Sequence, residues 1–305
     1  MGDDAAMVRP ARNRAEVLTT DMLVEGVHFR REWSSPREIG AKAVAVNVSD
    51  LGAMGAEPRI ATLSLALPAD FPLADFDALA DGAGEAAREA GLAIAGGNLT
   101  RSPGPLVVDV TAIGHVHPRK ALRRDGAREG DEVYVTGTIG AAAAGLAWLE
   151  RHGMPEAGSD AAAAVRRSCR PASSARAGMA LSRSAASRAA IDLSDGLADG
   201  VRRLAEGAGC GMTIEASALP IDPAGRAVFE ALGLDPLHGA LAGGDDYELL
   251  FTVPARSRGR FRAVRPHLGT AATRIGVVTG DPALTVDGAS NLDLRSLGFD
   301  HFLPR

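Results

Sequence analysis

The sequence predicts a mixed α/β protein built in two blocks. Three observations lead there. Short apolar runs rich in β-branched residues alternate with longer helix-like stretches. A basic, glycine-containing stretch without periodicity interrupts them at 118–130. The length of 305 residues is about twice the commonest domain size. Taken in order, strands are expected at 17–20, 60–67, 92–95, 106–115, 132–136, 189–193, 212–215, 248–253 and 274–278. Helices are expected at 36–54, 73–90, 139–151, 173–184, 197–208, 224–232 and 257–267. Pro36 sits near the opening turn of the first helix, where its missing N–H costs little. The runs at 60–67 and 106–115 are long and apolar enough to be central in a sheet. Gly96-Gly97-Asn98 after the strand at 92–95 would let backbone N–H groups approach phosphate oxygens, although Gly-Gly-Asn also reads as a plain turn. The second block opens at Asp131, with ordinary loops at 153–158 and 170–171. Alanine-rich stretches at 141–144 and 161–164 are compatible with helix.

Composition narrows the function. The chain is 46% hydrophobic and 23% charged, with mean hydropathy +0.02, which places it among soluble globular proteins. No apolar run approaches the roughly 20 residues needed to span a bilayer, and the start, Met1-Gly2-Asp3-Asp4, lacks the basic and apolar regions of a secretory signal. A cytoplasmic location and no membrane partner are therefore expected. The net charge of −5 and a pI near 5.8 argue against a nucleic-acid partner, which needs a basic face. Cys169 and Cys210 are too few for a disulfide framework or a zinc cluster. Of the 33 basic residues only Lys42 and Lys120 are lysines, a bias that reflects coding composition rather than function.

The usual nucleotide cradles are missing, both the Gly-x-x-x-x-Gly-Lys loop and the Gly-x-Gly-x-x-Gly turn, as are the serine elbow and the His-Glu-x-x-His motif. What stands out is a set of acidic residues at the ends of apolar runs: Asp3 and Asp4, Asp21, Asp50, Asp192 and Asp195, and Asp245 and Asp246. Singly, each reads as a turn residue or helix cap; Asp195, for one, stands where it could cap the helix at Leu197. Together they are harder to explain that way. Asp50 lies within a helix-like apolar stretch and Asp192 follows a strand core, where an unpaired carboxylate is costly to bury. Oxygen donors of this kind suit Mg²⁺, which bridges carboxylates to phosphates, so the pattern points to phosphoryl chemistry.

Five motifs in order carry a resemblance. They are Gly2-Asp3-Asp4-Ala5-Ala6, the run from Thr19 through Asp21 to His28 and Phe29, the run from Lys42 through Asp50 to Ala56, Ile191-Asp192-Leu193-Ser194-Asp195-Gly196-Leu197, and Gly243-Gly244-Asp245-Asp246-Tyr247-Glu248-Leu249-Leu250-Phe251. The series resembles that of the thiamine-monophosphate kinase family, over residues 2 to about 304. That family belongs to the superfamily of aminoimidazole ribonucleotide synthetase and selenophosphate synthetase. The resemblance implies a two-domain fold of that type, with residues 1–125 an α/β ATP- and Mg²⁺-binding domain that forms a homodimer and residues 126–305 a second α/β domain. It also implies direct transfer of the γ-phosphate of ATP to thiamine monophosphate, giving thiamine diphosphate, with no covalent enzyme intermediate and hence no catalytic nucleophile. Carried over by motif position, Asp4, Thr19, Thr20, Asp21, Asp50, Asp192 and Asp195 would hold several Mg²⁺ ions. Gly97, Asn98, Arg124 and Ser194 would contact ATP, and His28, Asp245 and Phe299 would contact thiamine monophosphate.

Three departures from the family pattern are visible. The usual Gly-Gly-Asp-Thr has Asn98 in place of its aspartate, and the usual Gly-Gly-Glu-Asp-Tyr has Asp245 in place of its glutamate. The family also carries about a helix's length of chain before Gly-Asp-Asp, where this sequence has Met1. Two alternatives stay open: a sister ATP-using enzyme of the superfamily, although Cys169 and Cys210 fit neither the selenophosphate synthetase nor the hydrogenase maturation pattern, and a nucleotide-binding paralogue impaired in catalysis, suggested by Asn98.

Overall fold

The computed structural model describes residues 6–289 and 292–298; Asp3, Asp4 and Phe299 lie outside them. The chain runs β1 (Ala15–Val24), α1 (Pro36–Ala53), β2 (Glu57–Pro68), α2 (Leu73–Ala90), β3 (Ala93–Ser102) and β4 (Val107–Val116). Short 3₁₀ turns at Pro118–Lys120 and Arg124–Gly126 then lead into β5 (Glu132–Thr136), α3 (Ala141–His152), α4 (Asp160–Cys169), α5 (Ala175–Ser184) and β6 (Ala190–Asp192). The remainder is α6 (Leu197–Ala208), β7 (Gly211–Glu215), α7 (Pro223–Ala231), α8 (Pro236–Ala242), β8 (Leu249–Val253), α9 (Arg258–Val264), β9 (Ala272–Thr279) and β10 (Leu284–Asp287). Among the described residues no helix is long and apolar enough to cross a membrane.

Two mixed sheets result. The first has the order β1-β4-β2-β3, so the two long apolar strands are central, as their sequences require. Only its β2–β3 pair is parallel. The second sheet has the order β10-β7-β9-β5-β8-β6, with β10 and β7 parallel and the other pairs antiparallel. Strand β4 shows why the first sheet has one covered face. Val108, Val110 and Ala112 are buried in alternation with half-exposed Asp109 and Thr111, which is the period of a sheet packed on one side.

Helix α1 links the two halves. It opens with Ser35 and Glu38 exchanging side-chain and backbone hydrogen bonds in a capping box, with Pro36 at its first position. Its residues are buried on nearly every side, as befits a helix enclosed by protein. It packs on α2 and β4 of the first half, and on α5 and β6 of the second. Gly178 of α5 meets it so closely that a Cβ there would stand 1.8 Å from the Gly52 carbonyl oxygen.

The structure differs from the sequence expectation at several elements. Helix α4 takes in the alanine-rich 161–164, which is compatible with helix, whereas α8 and β10 have no counterpart among the expected elements. α8 has seven residues and β10 four, too short to show a period, and β10 pairs with β7 alone. Gly96-Gly97-Asn98 is not a turn but the middle of β3, hydrogen-bonded in parallel to β2. Gly97 is required there because a Cβ would lie 1.8 Å from the Leu63 carbonyl oxygen, beside the bulge at Ala61 and Thr62. Asp195 does not cap α6; Gly196 holds that position without a side-chain cap.

Candidate active site

The acidic residues singled out in the sequence come from β1, α1, β6 and the turn after it, and the fold brings them together between the two halves. Strand β1 alternates, so Thr19 and Asp21 face one side and Thr20 the other. The Thr19 hydroxyl donates to Asp50 Oδ2. One residue earlier on α1, the Ser49 hydroxyl donates to Asp192 Oδ2 at 2.8 Å. Thr20, in contrast, turns its hydroxyl to the opposite face, towards Asp109 Oδ1 at 3.3 Å and Thr111 Oγ1 at 3.0 Å on β4.

These carboxyls feel one another. Asp21 is pushed up to about 6, by burial first and then by the charges of Asp50, Asp109 and Asp195. Asp192 is pushed up to about 7, again by burial first and then by Asp50 and Asp21, with the Ser49 bond acting the other way. Burial also raises Asp50, opposed by its Thr19 bond and by the guanidinium of Arg124. Asp195 accepts from the Ser194 hydroxyl at 3.3 Å and lies 3.8 Å from Arg203. Ionising all of these groups together is costly without cations. Carboxylates and a threonine hydroxyl are hard oxygen donors of the type Mg²⁺ prefers. Among the described residues, however, no three His, Cys, Asp or Glu side chains are grouped so as to hold a metal ion by themselves.

Beside this cluster is a cavity of about 550 Å³ lined by Asp21, Ser194 and Asp195 together with His28, Lys42 and Asp245. Trp33, Leu146 and Ala147 supply apolar wall. Gly97, Asn98 and Arg124 do not line it; Gly97 and Asn98 are exposed on the edge strand β3, and Arg124 is exposed but near enough to Asp50 to affect it. His28 accepts the Val24 N–H at its Nδ1, 3.0 Å away, which fixes its neutral ring as the Nε2–H tautomer. Asp245 sits in a loop in which both it and Tyr247 adopt positive φ, +66° and +50°. The loop is held in that unfavourable conformation by backbone bonds from Asp245 N to Ser194 O at 2.8 Å and from Tyr247 N to Leu193 O at 3.0 Å. Glycine precedes it because a Cβ on Gly244 would stand 2.3 Å from the Ser194 carbonyl oxygen.

Asp246, next in that loop, points away from the cavity to the N-terminus of α3, where its Oδ2 accepts the Gly140 N–H at 2.8 Å. Its Oδ1 is buried with no hydrogen-bond partner among the described residues. Burial pushes its carboxyl from the ordinary 3.8 up to about 8. A folded-state value above the unfolded one means that the native state binds the extra proton. The associated stability is fully present below about pH 4 and is lost as pH rises towards 8, by up to about 1.4 kcal/mol per unit. Asp246→Asn is therefore expected to gain stability relative to the unsubstituted chain between pH 5 and pH 8 in urea unfolding. A stability difference that stays constant across that range would show that the helix N-terminus keeps the carboxylate ionised.

Sequence reasoning missed Asp109 and Lys42. Asp109 is a lone charge at an outward position of an alternating strand, which by itself reads as a solvated residue. Only the register that pairs Met22 with Asp109 places it beside Asp21.

Comparison with known proteins agrees with this architecture. The N-terminal domain model of AIR synthase related proteins matches residues 2–116, and the C-terminal domain model matches residues 128–288. The chain is 38% identical over 304 residues to the thiamine-monophosphate kinase of Escherichia coli K12, covering 99% of this chain and 91% of that one. A crystal structure of thiamine-monophosphate kinase from Stenotrophomonas maltophilia superposes with TM-score 0.86 at 39% identity, covering 95% of this chain and 90% of that one. The structure described as AaThiL complexed with AMPPCP and TMP gives TM-score 0.85 at 33% identity, covering 99% of this chain and 92% of that one. Matched over nearly its whole length in sequence and in fold, the chain belongs to the thiamine-monophosphate kinase family.

Proposed function

We propose that the chain transfers the γ-phosphate of ATP directly to thiamine monophosphate, forming thiamine diphosphate. The single observation that carries this reading is the convergence of Asp21, Asp50, Asp192 and Asp195 beside a cavity lined by His28 and Asp245. Two anionic phosphates must meet for the reaction, and the protein's part is mostly positioning and charge neutralisation. Thr19 and Ser49 fix the carboxylates of Asp50 and Asp192, so those oxygens are oriented before substrate arrives. Asp21, Asp50, Asp192 and Asp195, with the Thr19 hydroxyl, would hold Mg²⁺. Since among the described residues no three His, Cys, Asp or Glu side chains are grouped to hold a metal ion, phosphate and water oxygens would complete the coordination, as is usual for this ion. Bound Mg²⁺ would neutralise phosphate charge and align donor and acceptor oxygens. Thr20 would take part only by turning away from β4, and Asp4 joins the set by motif position alone.

Arg124 would contact ATP phosphate through its guanidinium, a donor fork suited to phosphate oxygens. Ser194, and the backbone around Gly97 and Asn98, would contact ATP as well. His28 would offer its Nε2–H to thiamine monophosphate. Asp245 offers acceptor oxygens to its aminopyrimidine and cationic thiazolium, and Phe299 is the third contact by motif position. The domain limits 1–125 and 126–305 and a cytoplasmic location, where ATP is available, belong to the same reading.

Incubating the purified protein with ATP, Mg²⁺ and thiamine monophosphate should yield thiamine diphosphate and ADP in equal amounts. ATP binding without thiamine diphosphate would favour the impaired paralogue instead. A homodimer is also expected, because Leu18 and Met22 leave 68% and 53% of their surface exposed on β1, an edge strand of the first sheet. Light scattering should return twice the 31.3 kDa chain mass; a single-chain mass at micromolar concentration would overturn it.

A further inference from the structure

We infer that Lys42 is a positioning residue for the acceptor site: its buried ammonium ties Asp245 and the His28 loop to one anchor, setting the shape of the cavity that takes thiamine monophosphate. This rests on the proposed function and goes beyond it, because the five-motif resemblance gives Lys42 no role.

The geometry is specific. Lys42 lies on α1 with only 4% of its side chain exposed. An ammonium has three protons, and three acceptors from three separate segments receive them. They are Asp245 Oδ2 at 2.8 Å, the Ser168 carbonyl at 3.1 Å and the His28 carbonyl at 3.3 Å. Ser168 is in the last turn of α4, whose final carbonyls have no partner within the helix, so a cation is favoured there twice over, by the open acceptor and by the helix dipole. The His28 carbonyl belongs to a residue that lines the cavity. Asp245 brings the only carboxylate of the three, and it remains 38% exposed towards the cavity. Asp245 is thus held by the ammonium while part of it stays available to a ligand.

A purely structural part would not need this residue type. A buried ion pair is worth little more than a well-packed apolar contact of similar volume. A guanidinium is planar and cannot send three protons along three diverging directions from one atom. Lysine stands here because a compact, three-way donor is required between the α1 wall and the cavity.

The test compares Lys42→Met, Asp245→Asn and the double variant with the unsubstituted chain. Thiamine monophosphate binding is measured by calorimetry, and KM by steady-state kinetics. Lys42→Met is expected to raise Kd and KM for thiamine monophosphate about 10-fold or more with KM for ATP changed less than about twofold, and the double variant to lose no more than Asp245→Asn alone. An unchanged KM for thiamine monophosphate, or losses that add in the double variant, would overturn the inference and leave Lys42 a packing residue. If Lys42→Met does not fold, Lys42→Gln, which keeps a donor, carries the same comparison. An unsubstituted chain that binds thiamine monophosphate without phosphorylating it defeats the proposed function alone, since the binding ratios still decide the clamp. No binding at all defeats both.

Discussion

Asp50→Asn is expected to lower turnover about 100-fold or more while the fold is retained. The carboxylate sits on α1 where burial disfavours its charge, so the neutral amide is no harder to bury and can still accept the Thr19 hydroxyl. What the amide lacks is the negative charge at the centre of the acidic cluster, where Asp192 registers the Asp50 charge directly. A metal-assisted phosphoryl transfer cannot do without it. The measurement is kcat beside a thermal unfolding curve. Turnover equal to that of the unsubstituted chain would make Asp50 a structural residue and remove the strongest support for the phosphotransfer reading.

The second large effect concerns the joint between the halves. Gly178→Val should destabilise the protein by about 3 kcal/mol or more and abolish most activity. At Gly178 a Cβ would stand 1.8 Å from the Gly52 carbonyl oxygen, and at Gly52 a Cβ would stand 2.6 Å from Ala175 Cα. Both neighbours are backbone, so no side chain can move aside and α1 and α5 must separate. Because α1 carries Ser49 and Asp50 against β6, separation pulls apart the carboxylates that the site needs together. The expected signature is a melting point lower by roughly 6–12 °C, with activity lost even at temperatures where the chain is folded. Unchanged melting and turnover would mean that the helices are not in this close contact in solution.

Much of the fold was readable in the chain because the signals are local. Leu73–Ala90 and Leu197–Ala208 coincide with the helices expected from periodicity, and Glu132–Thr136 with the expected strand. The long apolar runs at 60–67 and 106–115 became the two central strands of the first sheet. Elements shorter than a readable period, α8 and β10, escaped. Gly96-Gly97-Asn98 misled because adjacent glycines usually mark a turn, whereas here glycine is demanded by the close approach of β2.

The acidic motifs themselves were also legible: burying Asp50 and Asp192 among apolar residues is too costly to be incidental. Their grouping was not. Ser49 and Asp192 are 143 positions apart, and Lys42 and Asp245 are 203 apart. Side-chain alternation in β1 says that Thr19 and Thr20 point to opposite faces, but not which face meets α1. Sequence by itself determined most of the elements, the acidic motifs and the family. Only the tertiary structure decided which carboxyls share a field, that Asp109 joins them and that Lys42 holds Asp245, because long-range adjacency comes from how covered faces pack rather than from any property of the neighbouring residues in the chain.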